Sequence, residues 1–266
     1  MDMSINEQLL KVYKTWEAEV LKPYIVERTD AGYYNADNKT GKWNKKYEGS
    51  QISCPFYMGL TDDYINSDKK RVMIVGQEAR GYGIYTRDRD KKGYEAQSSQ
   101  EWSNTYLSRQ LCLQDNNGDL KYNASRFWAL FRALKDDYAL CWTDIDKVYY
   151  NKEGDYKGTL TYEGEAYLNQ KYGDDKKSIL EREIDLAKPD CIVFVIGPKY
   201  YVSLKQSFGI KDKFQGELTT ISQIVDVSKD LNLGIPAFWT YHPANRSKVN
   251  VIAAVKEALS PLQKKD

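Results

Sequence analysis

The sequence predicts an α/β protein, a three-layer α/β/α sandwich around a central four-stranded parallel sheet. Three observations carry this. Four short apolar runs, at residues 72–75, 138–142, 191–196 and 235–241, have strand length and are nearly continuous, as strands buried on both faces are. Amphipathic helical patterns separate them, and strand–helix–strand order implies parallel pairing through right-handed crossovers. Each run then ends in glycine or polar residues, at the strand ends where open α/β sheets place their chemistry.

Taken in order, residues 4–21 read as an amphipathic helix. Ile5, Leu9, Val12, Trp16 and Val20 form its inner stripe, Glu7, Lys11, Lys14 and Glu17 lie opposite, and Pro23 marks its end. Residues 24–68 are irregular and rich in aromatics, Gly, Asn and Lys, so a long loop wrapping the core is expected there. Helices are expected at 100–112 and at 123–134, the latter with Phe127, Trp128, Leu130, Phe131 and Leu134 on a wide apolar face. Residues 178–187 open with Ser178 and, three places on, Glu181, which is a capping box. Weaker helical patterns occupy 199–207 and 218–230. The last helix, 247–259, buries Val251, Ile252, Val255 and Leu259 and stops before Pro261. Residues 150–176 read as an insertion with a strand at 159–162. The organisation is therefore an N-terminal helix and extension over residues 1–68, then one α/β domain over 69–266.

The bulk composition narrows the function. Of 266 residues 41 % are hydrophobic and 29 % charged, enough for a sizeable core. Net charge is +1, which argues against a protein that coats nucleic acid but not against one gripping a few phosphates. Cys54, Cys112, Cys141 and Cys191 show no CxxC spacing, so a disulfide framework, zinc site or iron–sulfur cluster is not indicated. No signal peptide is visible and no apolar run approaches membrane length. A cytoplasmic monomer without membrane contact is the expectation.

On the predicted sheet the polar strand ends meet on one edge. They are Gly76-Gln77-Glu78, Thr143-Asp144-Ile145-Asp146-Lys147, Gly197-Pro198-Lys199 and His242-Pro243-Ala244-Asn245-Arg246, the last holding the chain's one histidine. Neither GxGxxG nor GxxxxGK[ST] occurs, nor GxSxG, nor the HxE and PCxxC of a zinc deaminase.

These motifs resemble the uracil-DNA glycosylase superfamily. Gly76-Gln77-Glu78-Ala79-Arg80 resembles its Gly-Gln-Asp-Pro-Tyr loop, and Tyr241-His242-Pro243-Ala244 its late His-Pro-Ser strand end. Ser125-Arg126-Phe127-Trp128 is similar to the Asn-Arg-Phe-Trp helix of the mismatch-specific branch. Thr143-Asp144 with Lys147 stands where many members carry Thr-Asn-x-x-Lys, and Pro189 to Gly197 resembles the family's third strand. The resemblance spans roughly residues 70–258. It implies a uracil-DNA glycosylase-like sheet, hydrolysis of the N-glycosidic bond of a flipped base in DNA, and no metal or cofactor.

The roles follow from the resemblance and from the chemistry. Breaking this bond builds positive charge on the sugar and negative charge on the departing base. Glu78 is the carboxylate for the sugar, and His242 the donor to the base oxygen. Gln77 and Asp144 face the base, Tyr82 or Tyr85 stacks on it, and Arg80, Lys199, Asn245 and Arg246 are phosphate or groove contacts. The departures from the family bear on the base. Glu78 replaces Asp, Ala79 replaces Pro, Arg80 replaces the tyrosine that excludes thymine's methyl, and Asp144 replaces the asparagine that reads uracil. A carboxylate only accepts hydrogen bonds, so it suits an amino group such as cytosine N4 rather than uracil O4.

Other readings stand beside these. Glu78 also suits a helix cap or a surface pair with Arg80, Asp144 and Asp146 suit turns, and Arg246 suits a solvated helix start. At the level of function, a non-catalytic nucleic-acid or nucleotide sensor and an enzyme acting on free nucleosides remain alternatives.

Overall fold

The structure is a computed structural model that describes residues 3–24, 53, 55–78, 100–112, 125–148, 162–212, 214, 216, 218, 223–244 and 248–263. Its centre is a five-stranded sheet built from β1 (Arg71–Glu78), β2 (Ala139–Asp146), β3 (Cys191–Phe194), β4 (Ile224–Asp226) and β5 (Ala237–Thr240). The strand order is β2-β1-β3-β5-β4. The pairs β1–β2, β1–β3 and β3–β5 are parallel, and β4 runs antiparallel to β5. Each of the four apolar runs contains a strand or lies within one. β2 and β3 are buried along their whole length, which is why their sequences do not alternate.

The helices are α1 (Ile5–Trp16), α2 (Asp62–Asn66), α3 (Gln100–Cys112), α4 (Arg126–Leu134), α5 (Tyr162–Leu168), α6 (Ile179–Ala187), α7 (Tyr201–Phe208), α8 (Ser228–Leu231) and α9 (Lys248–Leu259). Side chains alternate along a strand, so Trp142 and Asp144 lie on one face of β2 and Thr143 on the other. The ring of Phe127 on α4 packs at Gly76, level with Asp144, whereas Glu183 on α6 bonds Thr143. The helices α3, α4 and α9 pack together on the first side, and α1, α5, α6 and α7 on the second. Because β2 and β3 flank β1, the chain leaves β1 and β2 in opposite directions. The carboxyl ends of β1 and β3 are therefore the topological switch point, the place where open α/β sheets bind ligands.

Two expectations of the sequence are corrected here. The sheet has a fifth strand, and it arises in the 218–230 segment, which the pattern reads as helix. There Ile224, Val225 and Asp226 pair with Thr240, Trp239 and Phe238, leaving only the short α8 helical. The β-branched pair has a weak helical preference and yields to an available sheet edge. Tyr162, expected to close a strand, opens α5; residues 159–161 lie outside the described residues.

The N-terminal helix also departs from its wheel. Ser4 and Glu7 form a capping box. Tyr13 is fully buried, and Glu17, placed on the polar side by its spacing, is only 2 % exposed. A π turn over Glu17–Leu21 explains this, because Lys22 N–H reaches back five residues to Glu17 O. The extra residue in that turn rotates the helix, so Val20, Leu21 and Tyr24 all face the core. Helical structure continues to Tyr24, so Pro23 does not end it.

Residues 55–60 form a strap buried along its length between α1, α3 and the end of β2. Side chains satisfy its backbone. Tyr13 Oη accepts from Met58 N–H at 2.8 Å, Asn6 bonds both the N–H and the carbonyl of Leu60, and Ser103 and Gln100 donate to Tyr57 O and Met58 O. Phe56 N–H donates to Lys147 O at 2.7 Å, which joins the strap to the β2 turn.

Candidate functional site at the carboxyl ends of the strands

Two glycines shape the strand-end edge. Gly76 stands beside Asp144 in the β1–β2 register. A Cβ there would lie 2.3 Å from Asp144 Oδ1 and 3.2 Å from the Phe127 ring, so only glycine lets the carboxylate and the ring approach β1. Gly197 turns the chain out of β3 with φ +67°, a conformation that L side chains rarely adopt. Its N–H donates to Thr240 O at 2.9 Å and its carbonyl accepts from Trp239 Nε1, which ties this turn to the end of β5.

Asp144 is 4 % exposed. Trp142, two residues earlier and therefore on the same face, donates its indole N–H to Asp144 Oδ1 at 3.0 Å. The indole is itself held by Phe56, Trp128, Phe127 and Tyr106, with ring centroids 4.6 to 6.2 Å away. Gln77 points to the other side of β1 and donates from Nε2 to Ile196 O at 2.9 Å, bridging β1 and β3 across the switch point. Glu78 closes β1, its backbone paired with Asp146.

His242 follows β5 and is half-buried. Its ring lies parallel to Phe127, at 5.5 Å between centroids and 3° between planes. Its Nδ1 accepts the Ala244 N–H at 3.2 Å. An imidazole whose Nδ1 accepts carries its proton on Nε2 when neutral, so His242 is set up as a donor through Nε2. Phe127 therefore touches both halves of the site, the Gly76–Asp144 notch on β1 and β2 and the histidine after β5.

Behind Asp144, on the opposite face of β2, lies a fully buried ionic network. Lys147 Nζ donates to Glu183 Oε2 at 2.7 Å, to Thr143 Oγ1 at 2.5 Å and to the Asp144 carbonyl at 2.7 Å. Glu183 also accepts from Thr143 Oγ1 at 2.9 Å and from Tyr13 Oη. The Lys147 and Glu183 side chains are 1 % and 0 % exposed. Burial, and then the Glu183 carboxylate, pushes the Tyr13 phenol well above its ordinary value, so it remains a donor. Every ammonium N–H is used, and the backbone at Asp144 is pinned.

Asp146, singled out with Asp144 by the sequence, is also buried but accepts from Asn169 Nδ2 at 2.7 Å, a scaffold contact. Lys199 is exposed in the turn after β3, its ammonium 5.2 Å from the Tyr200 ring. Arg80, Tyr82, Tyr85, Asn245 and Arg246 lie outside the described residues. Gln77, Asp144, Lys199 and His242 are thus all on the strand-end edge. Sequence reasoning missed two site builders, Trp142 and the platform role of Phe127. The Trp142-x-Asp144 spacing on a strand was the available signal for the first. Among the described residues no three His, Cys, Asp or Glu side chains group as metal ligands do, and no helix is long and apolar enough to cross a membrane. A separate cleft, lined by Thr61, Tyr64, Lys69, Leu111, Lys135 and Tyr138, lies at the amino ends of β1 and β2 and contains none of these groups. No protein-family model matches the chain, and no curated protein sequence is significantly similar to it.

Proposed function

We propose that the protein is a DNA N-glycosylase of the uracil-DNA glycosylase type, acting on a flipped-out base that bears an amino group, as cytosine derivatives do. The observation that carries this reading is that Gly76, Asp144 and His242 gather around Phe127 at the carboxyl ends of parallel strands. In the reaction the bond between C1′ and the base nitrogen breaks. Water gives its hydroxyl to C1′ and its proton to the leaving base. His242, with its proton on Nε2, donates to the base oxygen as negative charge builds there. Glu78, at the end of β1, serves the sugar cation and the attacking water. Asp144 accepts from the exocyclic amino group. Tyr82 or Tyr85 stacks on the base, and Lys199 with Arg80, Asn245 and Arg246 holds phosphates. This chemistry requires neither metal nor cofactor, and a monomer suffices for it.

The test is incubation with DNA duplexes carrying uracil, hypoxanthine or 5-substituted cytosines, followed by alkaline scission of abasic sites. Scission is expected at the cytosine derivatives. His242→Asn should slow it about 10²–10³-fold, the usual effect of losing one donor to a developing oxyanion. Scission at uracil alone refutes the amino-group assignment. No scission on any duplex by the wild-type protein refutes the glycosylase reading.

A further inference from the structure

The site is divided between two halves of the sheet. Gly76 and Asp144 belong to β1 and β2, whose register runs on to Glu78 beside Asp146. His242 follows β5, which is paired to β3. The register of β3 with β1 stops earlier, at Val75 beside Phe194, and Val195 N–H then donates to Val75 O at 2.9 Å. Beyond that point β3 turns towards β5, where Gly197 N–H donates to Thr240 O at 2.9 Å and Gly197 O accepts from Trp239 Nε1 at 3.3 Å. The backbone thus joins the β3 turn to the histidine's half and leaves a seam against β1. The Gln77 side chain crosses that seam. Its Nε2 donates to Ile196 O at 2.9 Å, one residue before Gly197. A carbonyl only accepts, so the NH₂ end of the amide must be the end that meets Ile196. Adjacent residues of a strand face opposite sides, so Gln77 is turned away from the face on which Phe127 packs at Gly76.

We infer that Gln77 is a positioning residue: its amide fastens the β3 turn to β1 and so sets where His242 stands relative to Gly76 and Asp144. It does not read the base. The kinetic consequences rest on the glycosylase reading above, which they deepen, whereas the structural linkage does not depend on it. Two short steps lead from the amide to the histidine. Gln77 holds Ile196, and the next residue, Gly197, packs on the chain at Tyr241 and His242, where a Cβ on it would stand 3.9 Å from both Tyr241 Cα and His242 N. Ile196 is 0 % exposed, so no water takes the place of a lost donor, and the turn must move to satisfy its carbonyl. The stack of His242 on Phe127 ties the two halves on one face of the sheet, and the Gln77 bond ties them on the other.

Two measurements test this. The first needs no substrate. The chain holds one histidine, so the imidazole signals of its NMR spectrum belong to His242. Gln77→Met keeps the length of the side chain and loses the donor, and it should displace those signals. The ¹⁵N indole signal of Trp142, identified by its loss in Trp142→Phe, reports on the β1–β2 half and should stay in place. Gln77→Lys restores a donor and should return the imidazole signals towards their wild-type positions. Imidazole signals unmoved by Gln77→Met, an indole signal displaced as far as they are, or no return in Gln77→Lys overturns the inference. The second measurement is kcat and KM on each duplex that the wild-type protein cuts. Gln77→Met should lower kcat roughly tenfold or more on all of them alike, the scale on which a misplaced group costs rate, with KM and base preference unchanged. In the His242→Asn background the same substitution should change the rate by less than about twofold, because its effect runs through the histidine. A changed ratio between bases, or the same loss in both backgrounds, overturns the inference and leaves the glycosylase reading intact. If the wild-type protein cuts no duplex, that reading falls, and the imidazole displacement alone decides the role of Gln77.

Discussion

Replacing Lys147 by Met should cost the fold about 3–5 kcal/mol, because it leaves a buried carboxylate with no counter-charge. The structure supports the upper part of that range. Glu183 is 0 % exposed and takes hydrogen bonds from Lys147, Thr143 and Tyr13, so removing the ammonium deletes one charge-assisted bond and admits no water in its place. The Asp144 carbonyl loses its Lys147 donor as well. For a chain of this size each kcal/mol moves the melting temperature by about 2–4 °C, so a drop on the order of 6–20 °C is expected. Glu183→Gln alone leaves the ammonium stranded and should cost a similar amount. The double variant Lys147→Met/Glu183→Gln removes both charges. The introduced amide can then donate to Thr143 Oγ1 while its oxygen still accepts from Tyr13, so much of the loss should return. Urea unfolding followed by tryptophan fluorescence, for the wild type, both single variants and the double, gives the cycle. Single-variant costs below about 1 kcal/mol, or costs that simply add, would refute the view that the pair is desolvated and mutually dependent.

Gly76→Ala should lower stability by about 1–3 kcal/mol, the usual cost of overpacking, and should also impair any chemistry at Asp144. The added methyl would fall 2.3 Å from Asp144 Oδ1, so the carboxylate must leave its indole partner. Thermal unfolding together with the Trp142 indole signal checks both parts, and an unmoved signal counts against the close approach. Burial pushes the Cys141 and Cys191 thiols up to about 12 from an ordinary 9.0. Both should resist iodoacetamide in the native protein at about pH 8 and react once urea unfolds it. The raised values also set a pH dependence. The stability these thiols contribute is fully present below the unfolded value of 9.0 and is lost as pH rises towards 12, since the unfolded chain releases the protons first. A urea midpoint that rises over this interval contradicts the assignment.

Much of the scaffold was legible in the chain because burial leaves a local mark. The strands at 72–75, 138–142, 191–196 and 235–241 declared themselves as continuous apolar runs, and Ser178 with Glu181 declared the start of α6, where both capping bonds are present. The edge strand β4 was not legible. Its three residues are only half-buried or exposed, and what makes them a strand is the β5 edge beside them. The strap at 55–60 was hidden for a related reason. Its backbone partners are Asn6, Tyr13, Gln100 and Ser103, which lie more than forty positions away in the chain. Glu17 was misplaced because a helical wheel assumes a constant twist, and the π turn breaks it.

At the site, the sequence by itself determined which residue types stand at the strand ends: a glycine and glutamine after β1's apolar run, an aspartate on β2, and a histidine after β5. It also determined the parallel order that brings those ends to one edge, because apolar runs alternating with helices leave few other topologies. Only the tertiary structure decided how they act on one another. The Trp142 donor sets the orientation of Asp144, Gly76 makes room for it, and the Lys147–Glu183 pair fixes its backbone from behind. Phe127, which the sequence offers only as core, joins that notch to His242, and the Ala244 N–H assigns the imidazole proton to Nε2. The reason is physical. A residue's burial and backbone preference are written in its own side chain and near neighbours. The direction and partner of a hydrogen bond depend on atoms brought together from distant parts of the chain.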